Sequence, residues 1–138
     1  MTSITLSLLL TCLSEFESAD NDHAVGRRGE VSRYQIMPGT WRAWSRGGSP
    51  QDLREARRVA CLLLCWRIGD FRVITGREPE PEEIYALWNA PGAFAKGGYE
   101  MKRLSKRVRA RCERFGNLYR ARSASVPQAG LRRDRGRR

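Results

Sequence analysis

The residues best placed to handle protons in this 138-residue chain are two glutamates thirteen positions apart, Glu17 and Glu30. Glu17 closes an apolar segment and is followed by Ser18; Glu30 sits in Gly29-Glu30-Val31-Ser32, five residues before Gln35. A carboxylic acid can protonate a poor leaving oxygen at neutral pH only if an apolar setting raises its pKa. A second carboxylate could then support developing positive charge or activate a water. The bland alternatives are a solvated helix-end carboxylate for Glu17 and, for Glu30, a pair with Arg27, Arg28 or Arg33 or a turn cap. Glu15 is the rival acid, but two residues apart on a helix means faces that lean apart, so only one can point into a given cleft.

The elements that must position these groups are mostly helical. Ile4, Leu6, Leu8, Leu9, Leu10, Cys12, Leu13 and Phe16 are apolar over about four turns, which predicts a buried helix carrying Glu17 at its C-terminal end. Asp20, Asn21 and Asp22 should break it. Residues 24–37, with Gly26, Gly29 and alternating apolar positions, predict a short hairpin or loop. Thr40, Trp41 and Trp44 predict a short helix. Ser49-Pro50 reads as a helix start, and Leu53, Ala56, Val59, Ala60, Leu63, Leu64 and Ile68 continue at helical spacing toward Gly76, with Arg54, Arg57, Arg58 and Arg67 mostly off that face. Pro81 opens another helix, ended by Asn89-Ala90-Pro91-Gly92. A last helix spans about 100–119, with Met101, Leu104, Val108, Cys112, Phe115 and Leu118 inside. Trp66, mid-helix, is expected in the core.

Charge is unevenly spread. The chain carries 26 basic and 15 acidic residues, a net of +11. From Lys102 onward 14 basic residues face 2 acidic ones, while residues 1–101 are close to neutral. The basic end should favour an anionic partner: nucleic acid, an acidic cell-wall polymer or a membrane surface. Residues 121–138 are read as a disordered basic tail behind one domain at 1–120. The four cysteines form no Cys-x-x-Cys pair and are expected as buried free thiols; with one histidine, His23, no metal site and no cofactor are expected. No stretch is long enough to span a membrane. The apolar start lacks a basic n-region and runs straight into Glu15-Phe16-Glu17, so it is not read as a cleavable signal.

Several pieces, taken together, resemble the lytic transglycosylase (SLT-type) branch of the lysozyme superfamily. They are Glu17-Ser18, Ala24-Val25, Gly29-Glu30, Tyr34-Gln35-Ile36-Met37-Pro38-Gly39-Thr40 and Ala86-Leu87-Trp88-Asn89-Ala90, in the family's order and covering roughly residues 4–118. The resemblance implies a mainly α, lysozyme-like domain with a small β-hairpin or loop element. It implies cleavage of the β-1,4 bond of peptidoglycan between N-acetylmuramic acid and N-acetylglucosamine, with Glu17 as acid and then base. Ser18, Gln35, Met37, Trp88 and Asn89 fall at its substrate-side positions. It also implies work in the cell envelope, periplasmic, secreted or phage-associated, with peptidoglycan rather than nucleic acid as partner and the basic tail available to an anionic wall polymer.

Three positions depart from the family pattern: Glu30 replaces an Ala, Ser32 a Gly and Trp88 a Tyr. Glu30 is five residues before Gln35, as the second carboxylate is in hen-type lysozymes, which implies a hydrolytic lysozyme or chitinase-like glycosidase as the alternative. A non-catalytic basic module binding sugar or nucleic acid is the competing class.

Overall fold

The computed structural model describes residues 3–126 and is mainly α. Helix α1 is Ser3–Ser18, α2 Pro38–Trp44, α3 Leu53–Thr75, α4 Pro81–Asn89, α5 Pro91–Lys96 and α6 Lys106–Ser125, with a 3-10 turn at Met101–Arg103 before α6. The expected hairpin is reduced to two isolated antiparallel bridges, Val25 with Val31 and Val31 with Ile36.

The apolar run of α1 forms a helix because its stacked side chains are covered. Leu9, Leu10, Cys12 and Leu13 are all buried. They meet Val59, Leu63, Leu64, Ile68 and Phe71 of α3 and Cys112 and Phe115 of α6 in one core. The helix ends as the chain folds back over it: Ala19 and Asp20 adopt left-handed φ values of 51° and 62°, and their N–H groups donate to the Glu15 and Ser14 carbonyls. α4 packs most extensively on α6, and α1 also lies against α6. That arrangement brings the end of α1 beside the middle of both.

Several boundaries differ from expectation, each for a local reason. α3 starts three residues after Pro50 because Asp52 caps it: its carboxylate accepts the N–H groups of Arg54 at 2.9 Å and Glu55 at 3.2 Å. Ser49 instead closes a turn, accepting the Gln51 N–H at 3.2 Å. Gly76, at φ 71°, ends the helix as expected. Asn89-Pro91 is a one-residue break, since Pro91 has the φ a first helical residue needs and starts α5. α6 begins later than expected, at the Ser105 cap, and runs on to Ser125; the rest of the expected tail lies outside the described residues.

Trp66 corrects the core assignment. It is 54 % exposed, on the outer side of α3, with its ring tilted against Trp44 at 5.5 Å. Among the cysteines, all free, Cys12 and Cys112 are buried as expected, but Cys65 faces solvent and Cys61 is half-buried. Burial pushes the Cys12 and Cys112 thiols up to about 11. Among the described residues no helix is long and apolar enough to cross a membrane.

The cap assignment is open to test. Asp52→Ala should lower stability by about 1 kcal/mol in urea unfolding, while Ser49→Ala should change it by less than about 0.5 kcal/mol. The reverse order would show that α3 is capped at Ser49.

Candidate active site at the end of helix α1

Glu17 sits in the last turn of α1 with its side chain only 8 % exposed. Two groups from other helices hold it. The Tyr85 hydroxyl, from α4, donates to Glu17 Oε1 at 2.7 Å. Arg111, from α6, donates to the Tyr85 oxygen through Nε at 3.1 Å and Nη2 at 2.8 Å, and its Nη2 lies 3.6 Å from Glu17 Oε2. A guanidinium can only donate, so the phenol oxygen is the acceptor there and its single proton is committed to Glu17. Oε1 is therefore occupied as an acceptor, while Oε2 accepts no hydrogen bond among the described residues and lies at ion-pair distance from Arg111. Aromatic rings close the site: Phe16 packs edge-on to Tyr85 at 4.9 Å and to Phe115 at 5.7 Å, and Arg111 lies over the Phe16 ring.

Burial, above all, raises the Glu17 pKa above 4.5. The Tyr85 hydrogen bond and the Arg111 charge work in the opposite direction, and the charge of Glu30 adds to the rise. Position on the helix acts the same way as burial, because a carboxylate in the last turn faces the negative end of the helix dipole. Burial and the Glu17 charge together also raise the Tyr85 hydroxyl, which keeps it a donor. Burial opposes the Arg111 charge, but the Tyr85 hydrogen bond and Glu17 outweigh it. The arrangement favours the protonated form of Glu17 relative to a solvated carboxyl, with Oε1 hydrogen-bonded by Tyr85 and Oε2 3.6 Å from Arg111.

Glu15 is removed from contention. It pairs across to Arg122 near the end of α6, as a half-exposed surface ion pair.

The loop after α1 is tied to the site through its backbone. Ser18 donates to the Arg33 carbonyl at 2.8 Å and accepts the Asn21 N–H at 3.0 Å, so its hydroxyl pins the loop to the helix end. Arg33 reaches Asp22 with two hydrogen bonds, at 2.7 and 3.2 Å, which hold the Asp22 carboxyl below its ordinary value. Glu30 therefore does not pair with Arg33. Its Oε2 accepts the backbone N–H of Arg28 at 3.1 Å, the turn-capping role, while its charge still reaches Glu17. Gln35 donates to the carbonyls of Ser32 at 2.7 Å and Ala24 at 3.2 Å. Gly26 leaves the space where these side chains converge: a Cβ there would stand 2.0 Å from Glu30 Oε2 and 2.7 Å from Gln35 Oε1, so both side-chain ends would have to shift.

Glu17, Ser18, Glu30 and Gln35 thus belong to one neighbourhood. The other expected substrate residues are placed differently. Met37 is 43 % exposed at the start of α2. Asn89 is exposed at the end of α4. Trp88 is only 7 % exposed and lies under the Arg67 guanidinium, so it has too little open ring to stack on a sugar. Arg67 in turn donates to the Leu87 and Trp88 carbonyls at 3.2 and 3.0 Å, capping α4 from within α3, and burial lowers its pKa to about 10. It is not on a solvated face as its neighbours are.

Tyr85 and Arg111 are the partners of Glu17 that the sequence alone did not single out. Arg111 carried a signal: it falls three after Val108 and four before Phe115, on the inner face of α6. A charge on an apolar face needs a partner, and Glu17 with Tyr85 supplies it.

Comparison of the chain with family models, with curated proteins and with solved structures gives no match. Among the described residues no cluster of three or more His, Cys, Asp or Glu side chains could hold a metal ion.

The pKa assignment has a direct check. In a carboxyl-labelled sample followed by NMR, Glu17 should titrate above 4.5, and Tyr85→Phe should move it higher, since the lost hydrogen bond favoured the charged form. The sign for stability follows. A raised folded value contributes stability that is present below the unfolded pKa and is lost as pH rises through the folded one. Wild type should therefore lose ground to Glu17→Gln in thermal melts as pH rises from the ordinary carboxylate value through the raised one of Glu17. A Glu17 that titrates at or below the ordinary value would contradict the buried-acid assignment.

Proposed function

We propose that this chain cleaves the β-1,4 bond of peptidoglycan between N-acetylmuramic acid and N-acetylglucosamine as a lytic transglycosylase, with Glu17 as general acid and then general base. The observation that carries the reading is the buried Glu17 at the end of an apolar helix, raised in pKa and clamped on one oxygen by Tyr85. The chemistry asks for a carboxyl group whose proton is held to higher pH than that of a solvated one, and burial moves Glu17 in that direction.

Two features of the loop add support to the resemblance. Ser32 stands where the family pattern has Gly, and it adopts φ 62°, a left-handed conformation that favours glycine. Ser18, next to the acid, fastens that loop to α1.

In the proposed reaction Oε2–H protonates the leaving glycosidic oxygen, and the C1–O bond breaks through an oxocarbenium-like state. The Glu17 carboxylate then takes the proton of the sugar's own 6-hydroxyl, whose oxygen closes on C1. No water is consumed, and the product ends in a 1,6-anhydro sugar. Arg111 and Tyr85 keep the carboxylate oriented between the two proton transfers and limit how far its pKa rises.

The hydrolytic reading is favoured by one observation, that the Glu30 charge acts on Glu17. There a second carboxylate supports the cation, and water completes the reaction. On either reading the protein works in the cell envelope or on walls from outside, and the basic surface of α6 attaches it to anionic wall polymers; nucleic acid is not the expected partner.

The two readings differ in product mass. Purified cell walls should lose turbidity with wild type, and Glu17→Gln should clear them roughly 10³-fold more slowly. The released fragments should be lighter by one water than reducing-end fragments, and Glu30→Ala should keep forming them. Equal clearing by wild type and Glu17→Gln would remove Glu17 from its role. Reducing ends that disappear with Glu30→Ala would establish the hydrolytic reading instead.

A further inference from the structure

α3 is the core helix of the fold, yet its outer side is not polar. Leu62 is 43 % exposed, Trp66 54 % and Val73 85 %. With Gly69 they follow at spacings of four, three and four, a single stripe opposite the buried Leu63, Leu64 and Phe71. The stripe runs about 16 Å along the helix at the usual rise per residue.

At its N-terminal end the stripe opens into a groove of about 490 Å³ between α1 and α3. Leu6, Leu10 and Leu62 line it, and Arg54, Arg57 and Arg58 rim it. The three guanidiniums differ in what they already hold. Arg58 is neutralised by Glu55, and Arg57 donates to the Ser7 hydroxyl at 3.0 Å. The Arg54 side chain has no hydrogen bond or ion pair among the described residues. Among the described residues no carboxylate lines the groove.

An apolar groove rimmed by unneutralised positive charge, continued by a convex apolar stripe with an exposed Trp, fits an anionic amphiphile. The groove alone would fit one acyl chain with an acidic head. The stripe extends the apolar surface beyond it, away from Arg54 and Arg57 at the groove, and Trp is a side chain suited to the boundary between headgroups and chains. We propose that the outer face of α3 docks on the surface of an anionic lipid membrane, with Arg54 and Arg57 on lipid head groups and Leu62 and Trp66 at the level of the upper chains. This surface is separate from Glu17 and stands whether or not the wall-cleaving reading does.

The test is co-sedimentation of the full chain with phosphatidylglycerol vesicles and with phosphatidylcholine vesicles, alongside Trp fluorescence. Binding is expected for the anionic vesicles only, with a blue shift that Trp66→Phe abolishes. Leu62→Glu should weaken binding by at least about tenfold, and Arg54→Glu by about tenfold; both positions are exposed, so circular dichroism should be unchanged. Binding that survives both substitutions but is lost when the arginines of α6 are replaced would overturn the proposal, as would no blue shift from Trp66. A dimer in light scattering that Leu62→Glu dissociates, with no vesicle binding, would assign the stripe to a second copy of the chain and overturn it equally.

Discussion

A carboxyl group that is nearly buried at a helix C-terminus is an expensive thing to build, and the fold around Glu17 is organised by that cost. Isolated burial of the charge would force the group neutral. Here Tyr85 from α4 and Arg111 from α6 offer a hydrogen bond and a nearby positive charge without forming a tight bidentate pair with it. The compromise raises the pKa of Glu17 while limiting how far it rises. It depends on α1, α4 and α6 meeting at one point, which the Phe16, Tyr85 and Phe115 ring cluster secures. Loosening any of the three helices would let water reach Glu17 and lower its pKa toward the solvated value.

The second constraint is backbone strain beside the acid. Ala19, Asp20, Ser32 and Gln35 all have positive φ, although none is glycine. Each such residue costs on the order of 1 kcal/mol. The strain persists because side chains tie both ends of the loop down: Ser18 to the Arg33 carbonyl, Arg33 to Asp22, and Gln35 to two loop carbonyls. A loop held this way keeps Glu30 folded over Gly26 instead of drifting into solvent. The strained segment and the buried acid meet at Ser18, one residue from Glu17.

Much of this was legible in the residues, for identifiable reasons. α1 is strongly apolar, and α3 and α6 carry long runs of apolar residues at helical spacing on one face; Pro81 and Gly76 punctuate the chain where their backbone geometry requires. Glu17 and Glu30 stood out as carboxylates in apolar and loop settings, and Ser18 and Gln35 only through the resemblance to the transglycosylase pattern. What stayed hidden depends on contacts between distant segments. Tyr85 is one apolar-face aromatic among several until α4 packs on α6. Trp66 and Cys65 looked like core because they sit mid-helix, but α3 is covered on only one side. Trp88 was placed on the substrate side by the resemblance alone, whereas it is buried and Arg67 reaches over it from α3. The β-hairpin was read from alternation, and glycines and left-handed turns kept it to two bridges.

The central claim is that the proton on Glu17, tuned by Tyr85, sets the reaction. The pH dependence of kcat/KM for wall solubilisation measures it most directly. The account predicts an alkaline limb that reports loss of the Glu17 proton and lies above the ordinary carboxylate range. In Tyr85→Phe that limb should move to higher pH, because the hydrogen bond that favoured the carboxylate is gone. A limb that stays in place in Tyr85→Phe, or a profile that Glu17→Gln reproduces, would contradict it.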